Sequence, residues 1–160
     1  MMADVAAQFL AQSREYLSSD FLPKVERCLE ALSDEDVWWR SNESSNSIGN
    51  LLLHLDGSTR AWIVGVAGGS QSQRDRQREF DERERIPRSE LLSRLRRTLA
   101  EADDVLARLD AGTLLERRQA RGEEVTVLYA IFHAVEHFSM HTGQIIMLAK
   151  MRSEGLRLPD

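Results

Sequence analysis

The sequence is poor in cysteine, lysine and proline, with one, two and three of them in 160 residues. A lone Cys28 cannot close an internal disulfide, so the chain reads as a protein of a reducing, cytoplasmic compartment. No apolar run approaches the ~20 residues that cross a bilayer, which argues against a membrane partner. No cationic stretch leading into an apolar run opens the chain, so no secretory signal is expected. The net charge is -5, and the arginines stand among acids. That balance argues against nucleic acid, whose phosphates want a basic face. No internal repeat, low-complexity tract or strand-period segment stands out. What remains is an ordinary globular composition, 42% hydrophobic and 29% charged. The length suits one domain over residues 1–160.

Apolar spacing divides the chain into four helical stretches. The first runs from about Ala3 to Leu32, with Phe9, Tyr16, Leu17, Phe21, Val25, Cys28 and Leu29 at steps of three and four. Pro23 interrupts it, yet the stripe stays in phase, which predicts one bent helix. Cys28 lies on the stripe and reads as core. Ser33 to Asp36 reads as a capped single turn that tucks Trp38 and Trp39 over one end of the core. The second helix starts near Asn46 or Ser47, reaches about Ala67, and is stopped by Gly68-Gly69.

Residues 70–87 carry dense charge of balanced sign and read as a solvated connection. Some 18 residues reach up to ~60 Å when extended, against ~30 Å for a 20-residue helix. The link can therefore cross the whole bundle and leave the second and third helices parallel. The third helix, about Arg88 to Leu109, carries Leu92, Leu95, Leu99, Ala102, Leu106 and Leu109 in a heptad-like seam. A charged connection over 113–124 turns at Arg121-Gly122-Glu123. Thr126 caps a fourth helix that continues to about Met151. Gly143 sits inside it, where a close helix contact would account for a residue that costs ~1 kcal/mol relative to alanine.

Histidine is scarce as well, and its distribution is the best functional lead. There are four. His133, His137 and His141 stand four residues apart, so a helix stacks them on one face at ~6 Å intervals. His54 sits at the edge of the second helix's buried stripe. Taken singly, each is an unremarkable core or surface histidine. Together they occupy the two segments with the strongest buried stripes, and an unpartnered buried imidazole cluster is costly. A metal makes the cluster sensible, with two ligands from one helix and a third from a facing helix. His133-x-x-Glu136-His137 also spells the short signature of inverted zinc peptidases. That reading leaves His141 and His54 idle, and fewer than twenty residues remain after His141 for a further ligand.

Asn46-Ser-Ile-Gly-Asn-Leu-Leu-Leu-His54-Leu, then Trp62, then His137-x-x-x-His141-x-Gly143-Gln144, resembles the DinB/YfiT-like superfamily of small bacterial four-helix-bundle proteins. The resemblance runs from about Phe21 to Lys150. It implies an all-α bundle, up-down-down-up, with a long crossover between helices two and three. It implies a divalent metal held by His54, His137 and His141, and a homodimer. Zinc or nickel suits three imidazoles, and manganese or iron is also accepted. The superfamily includes S-transferases that use low-molecular-weight thiols, so the expectation is a metal-dependent transferase activating a small thiol. His133 or Gln144 would orient the incoming group. The alternative expectation is a non-catalytic dimeric bundle whose metal is structural or absent. A structural zinc site is closed by four protein ligands, so that alternative requires His133 to complete the shell.

Overall fold

The computed structural model describes residues 2–70 and 73–159. Met1, Asp160, and Gln71 and Ser72 of the long link lie outside the described residues. Helix one is continuous. It comprises α1 (Met2–Glu15), a π-helical turn (Tyr16–Phe21) and α2 (Leu22–Glu30). The wide turn is how the helix passes its proline. Leu22 N–H donates to the Leu17 carbonyl five residues back. Pro23 then falls in the first turn of α2, where its missing N–H matters least.

The short α3 (Asp34–Val37) is closed by a reciprocal cap between Ser33 and Asp36. Trp38 follows and is buried, its Nε1 donating to the Ile86 carbonyl at 2.9 Å. Its indole lies directly on Gly49 of the next helix, where an added Cβ would stand 2.7 Å from the ring. Any larger residue at position 49 drives the indole off.

Helix two comprises α4 (Ile48–Thr59) and a π-helical segment (Arg60–Ala67). Ser47 caps it with Asn50 in return. Inside the link, expected to be solvated throughout, stands the short helix α5 (Arg76–Asp81). Helix three is α6 (Arg88–Arg108). Its buried face is set by Leu91, Leu95, Thr98, Leu99, Ala102 and Leu106, while Leu92 and Leu109 are only half-buried. Helix four is α7 (Val127–Arg152), capped by Thr126.

Contacts between helices two and three rise together along both. Thr98 donates to Asp56 at 2.5 Å, Arg60 donates to Glu101 at 2.6 Å, and Gly68 faces Val105. Contacts between helices two and four run oppositely, from His54 beside His141 to Trp62 beside Tyr129. Phe138, fully buried, stacks on Phe21 at 5.9 Å and ties helix four to the π turn of helix one. The architecture is all-α, with one continuous apolar core. No described helix is long and apolar enough to cross a membrane.

Two further expectations fail. The connection before helix four is a β-hairpin, β1 (Arg117–Ala120) and β2 (Glu123–Thr126), antiparallel with Ala120 opposite Glu123. Its two-residue turn has positive φ at Arg121 (51°) and Gly122 (87°), the twist that two-residue hairpins favour. Gly143 makes no close helix contact. It is exposed, and a Cβ there meets nothing within 4 Å.

Candidate metal centre

Antiparallel packing of α4 against α7 brings His54 opposite the pair His137 and His141. The three offer ring nitrogens within 4.8 Å of one another. His54 Nε2 lies 3.1 Å from His137 Nε2, which lies 3.2 Å from His141 Nε2. Nitrogens bound to one tetrahedral zinc at ~2.0–2.1 Å stand ~3.3–3.4 Å apart, so the two short separations are close to those of a ligand set.

The opposite nitrogens decide which atoms point inward. Glu79 Oε2 stands 2.8 Å from His54 Nδ1. A carboxylate only accepts, so Nδ1 carries the hydrogen and Nε2 turns a lone pair inward. Burial pushes the Glu79 carboxyl up, but hydrogen bonds from His54 and Arg74 outweigh it and hold the group below its usual range. Glu79 is therefore ionised. Gln144 Oε1, also an acceptor, stands 2.7 Å from His141 Nδ1, which leaves that Nε2 with a lone pair too. Ser58 Oγ lies 3.4 Å from His137 Nδ1. Two fixed lone pairs face His137 Nε2, whose single hydrogen could satisfy only one of them. A cation satisfies all three nitrogens at once. The donor set thus fits a divalent metal, and each imidazole has the outer partner that metal-bound histidines usually have.

His137 and His141 are held toward the neutral form. Burial, and then the neighbouring imidazoles His141, His54 and His133, push His137 down to about 3. Burial lowers His141 as well, against the Gln144 hydrogen bond. Neutral imidazole is the ligating form. In the metal-free protein this has a stability consequence. The unfolded chain protonates His137 near its ordinary value of 6.5, and the folded protein does so only at about 3. Between these values the unfolded state binds more protons, so stability falls as pH drops from neutrality through that window. Urea unfolding in chelator is expected to give a lower midpoint at about pH 5 than at about pH 7, and His137→Gln to narrow the gap. An unchanged gap in the variant would remove His137 as its source.

His133 lies outside the converging set. Its ring is 5.4 Å from that of His137, edge-on to Trp62 at 4.6 Å and stacked with Tyr129 at 5.9 Å. Glu136, the base of the peptidase reading, is exposed and 3.7 Å from His133. Gln144 is turned onto His141 and positions that ring.

Arg74 and Glu79 were hidden in the charged link. Arg74 Nε and Nη2 grip Glu79 Oε1 and Oε2 at 2.6 and 2.7 Å, with both side chains nearly buried. One sequence signal points to them. Gly57 lies one turn after His54, and a Cβ there would meet Glu79 at 2.1 Å. A glycine at that place in a helix marks where something from outside must approach. Asn50 fixes the approach, donating to the carbonyls of Glu79 and Glu82 at 2.9 and 3.1 Å while capping its own helix.

A family profile described as "Protein of unknown function (DUF1572)" matches residues 4–156. The crystal structure of a DinB-like protein from Bacillus cereus ATCC 10987 aligns with a TM-score of 0.71, covering 94% of this chain and 94% of that one. Sequence identity is 15%, so that likeness speaks to the fold. No curated protein matches the sequence. The profile match over almost the whole chain makes it a member of the DUF1572 family, a DinB-like family.

Proposed function

We propose that His54, His137 and His141 hold one divalent metal ion, zinc or nickel ahead of manganese or iron, and that the protein is a metal-dependent S-transferase acting on a small thiol. The convergence of three imidazole nitrogens, two with lone pairs fixed by Glu79 and Gln144, carries the metal. When bound, such an ion favours a thiolate over a thiol at a position the protein leaves open.

The chain's own groups do the rest. Glu79 keeps the proton on His54 Nδ1, and Gln144 does so for His141. His133, one turn before His137 and walled by Trp62 and Tyr129, offers the incoming S–H an acceptor. The sulfur electron pair forms the new bond to the electrophilic carbon, and the leaving group departs with the pair of the bond that breaks. Thiol transfer needs no carboxylate base. The carboxylate against the cluster, Glu79, is committed to His54 and Arg74, which counts against hydrolysis.

Elemental analysis of tag-free protein purified without chelator tests this. The expected result is about one metal per chain, in keeping with one three-nitrogen site, and conversion of a chromogenic electrophile that requires added thiol. Metal without thiol-dependent conversion leaves a structural ion. No metal, and no uptake of zinc or nickel, ends the proposal.

The homodimer is also a proposal, and one face of α7 supports it. Phe132, Met140 and Met147 are 58%, 48% and 60% exposed. Their spacing puts them on one face together with the open Gly143. A second copy would explain both the apolar stripe and the glycine. Sedimentation is expected to give a dimer, and Phe132→Glu a monomer with unchanged helix content. A monomeric wild type rules it out.

A further inference from the structure

A cleft of about 890 Å³ opens between the π-helical segment of helix two, the hairpin and the start of the link. Trp62 and Gly65 floor it, and Arg74, Arg76, Arg118 and Arg121 line it. None of its lining residues is acidic, although the chain as a whole has a net charge of -5. We propose that this cleft binds a small organic anion through a carboxylate or phosphate group.

Two buried donors point into the case for an anion. Trp62 Nε1 and Arg74 Nη1 are buried without a hydrogen-bond partner among the described residues. The Trp62 residue is 7% exposed and the Arg74 side chain 10%. Indole N–H and guanidinium N–H only donate, so the group that completes them is an acceptor. Buried donors left without partners are costly, and native structures seldom keep them. Both residues line the cleft.

The charge makes the same point independently. Glu79 already grips Arg74, and Glu116 holds Arg118 at 2.8 Å. Arg76 and Arg121 lie instead over aromatic faces, Phe80 at 5.0 Å and Trp62 at 5.2 Å. Water can accept from the orphaned donors, but it brings no charge to offset the guanidinium groups of Arg76 and Arg121.

Arg121 is also held there at a cost. Its φ of 51° is left-handed backbone, which glycine, asparagine and aspartate take far more readily in such a turn. The strained turn places a guanidinium over the Trp62 ring, at the mouth of the cleft. The volume is that of a metabolite site. Planar guanidinium forks match carboxylate and phosphate geometry.

The site goes beyond the thiol-transfer reading and does not rest on it. It does adjoin the histidines, since Arg74 Nη2 is 3.1 Å from His54 Nδ1 and the Trp62 ring is 4.6 Å from that of His133.

The test uses the full chain, stripped of metal and dialysed free of chelator, so that binding to an ion is excluded. Citrate and inorganic phosphate are titrated separately by calorimetry, with sodium chloride of matched ionic strength as control. Tryptophan emission is followed in parallel. Saturable binding of citrate or phosphate, absent with chloride, is the expected result, and the tighter of the two separates a carboxylate ligand from a phosphate ligand. Arg121→Gln and Arg76→Gln, both at exposed positions, are each expected to weaken it about ten- to a hundredfold. Trp62→Phe is expected to weaken it and to remove the emission change. No saturable binding of either anion, an equal response to chloride, or unchanged affinity in both arginine variants would overturn the proposal. Because no metal is present, these outcomes leave the metal and thiol-transfer reading to its own test.

Discussion

His137→Ala is expected to leave purification without stoichiometric metal while remaining folded. His137 is the central member of the cluster, within 3.1 Å of one partner nitrogen and 3.2 Å of the other. Its loss leaves two nitrogens on opposite helices, too few for a three-ligand site. The variant also relieves a strain, since two fixed lone pairs no longer face a third nitrogen. Metal-free wild type and variant should therefore unfold at similar urea concentrations, or the variant should be slightly more stable. Zinc separates them. An ion at a hundredfold excess over its dissociation constant stabilises the native state by about 2.7 kcal/mol. A chain of this size gains about 2–4 °C per kcal/mol. Wild type is expected to gain several degrees on zinc addition, and His137→Ala to gain nothing. Glu79→Gln should fall between them. Its amide can still accept from His54, but the charge is gone, and such outer partners are worth about 10- to 100-fold in metal affinity. An equal thermal response in wild type and His137→Ala would show that zinc binds elsewhere.

Phe138→Ala carries the second large effect, on stability and not on the site. Phe138 follows His137 in sequence and is fully buried against Phe21. Truncating a buried phenylalanine costs about 3–5 kcal/mol. Domains are stable by only about 5–15 kcal/mol, so about a fifth of the margin or more goes. The urea midpoint should drop sharply while the denaturant slope stays constant. Zinc should still raise the melting temperature of the folded variant, because the truncated side chain supplies none of the three converging nitrogens. A cost below about 1 kcal/mol would mean that the packing around position 138 is looser than its burial implies.

Much of this was legible in the sequence because it follows from helical period. Steps of three and four placed the four rods, and steps of four placed His133, His137 and His141 on one face. Ser33, Ser47 and Thr126 marked their helix starts, and each accepts the expected backbone N–H. Two of the failures, in the link and in helix three, depend on a neighbour distant in sequence. Charge density alone classed 70–87 as solvated, and for Arg78 or Arg83 that is right. It cannot single out Glu79, which is drawn inward by a gap at Gly57. The register of helix three depends on Thr98, a polar residue buried because Asp56 and Arg60 meet it. The strands of the hairpin are four residues each and carry no apolar alternation, so only the turn at Arg121-Gly122 announces them.

The link has a different kind of consequence. Its helix α5 buries no residue in full, so little apolar contact resists its lifting. Stability within a protein is uneven, and such segments open long before the bundle does. What fastens this one is polar, namely Asn50 on the carbonyls of Glu79, Phe80 and Glu82 and the Glu79 clasp with Arg74 and His54. Each opening withdraws the carboxylate that keeps a proton on His54 Nδ1, and with it the basicity of the ligating nitrogen. If an ion is bound at the histidines as proposed, its exchange would be geared to the opening of a surface segment, with the rate set by these polar fastenings and not by the unfolding of the core.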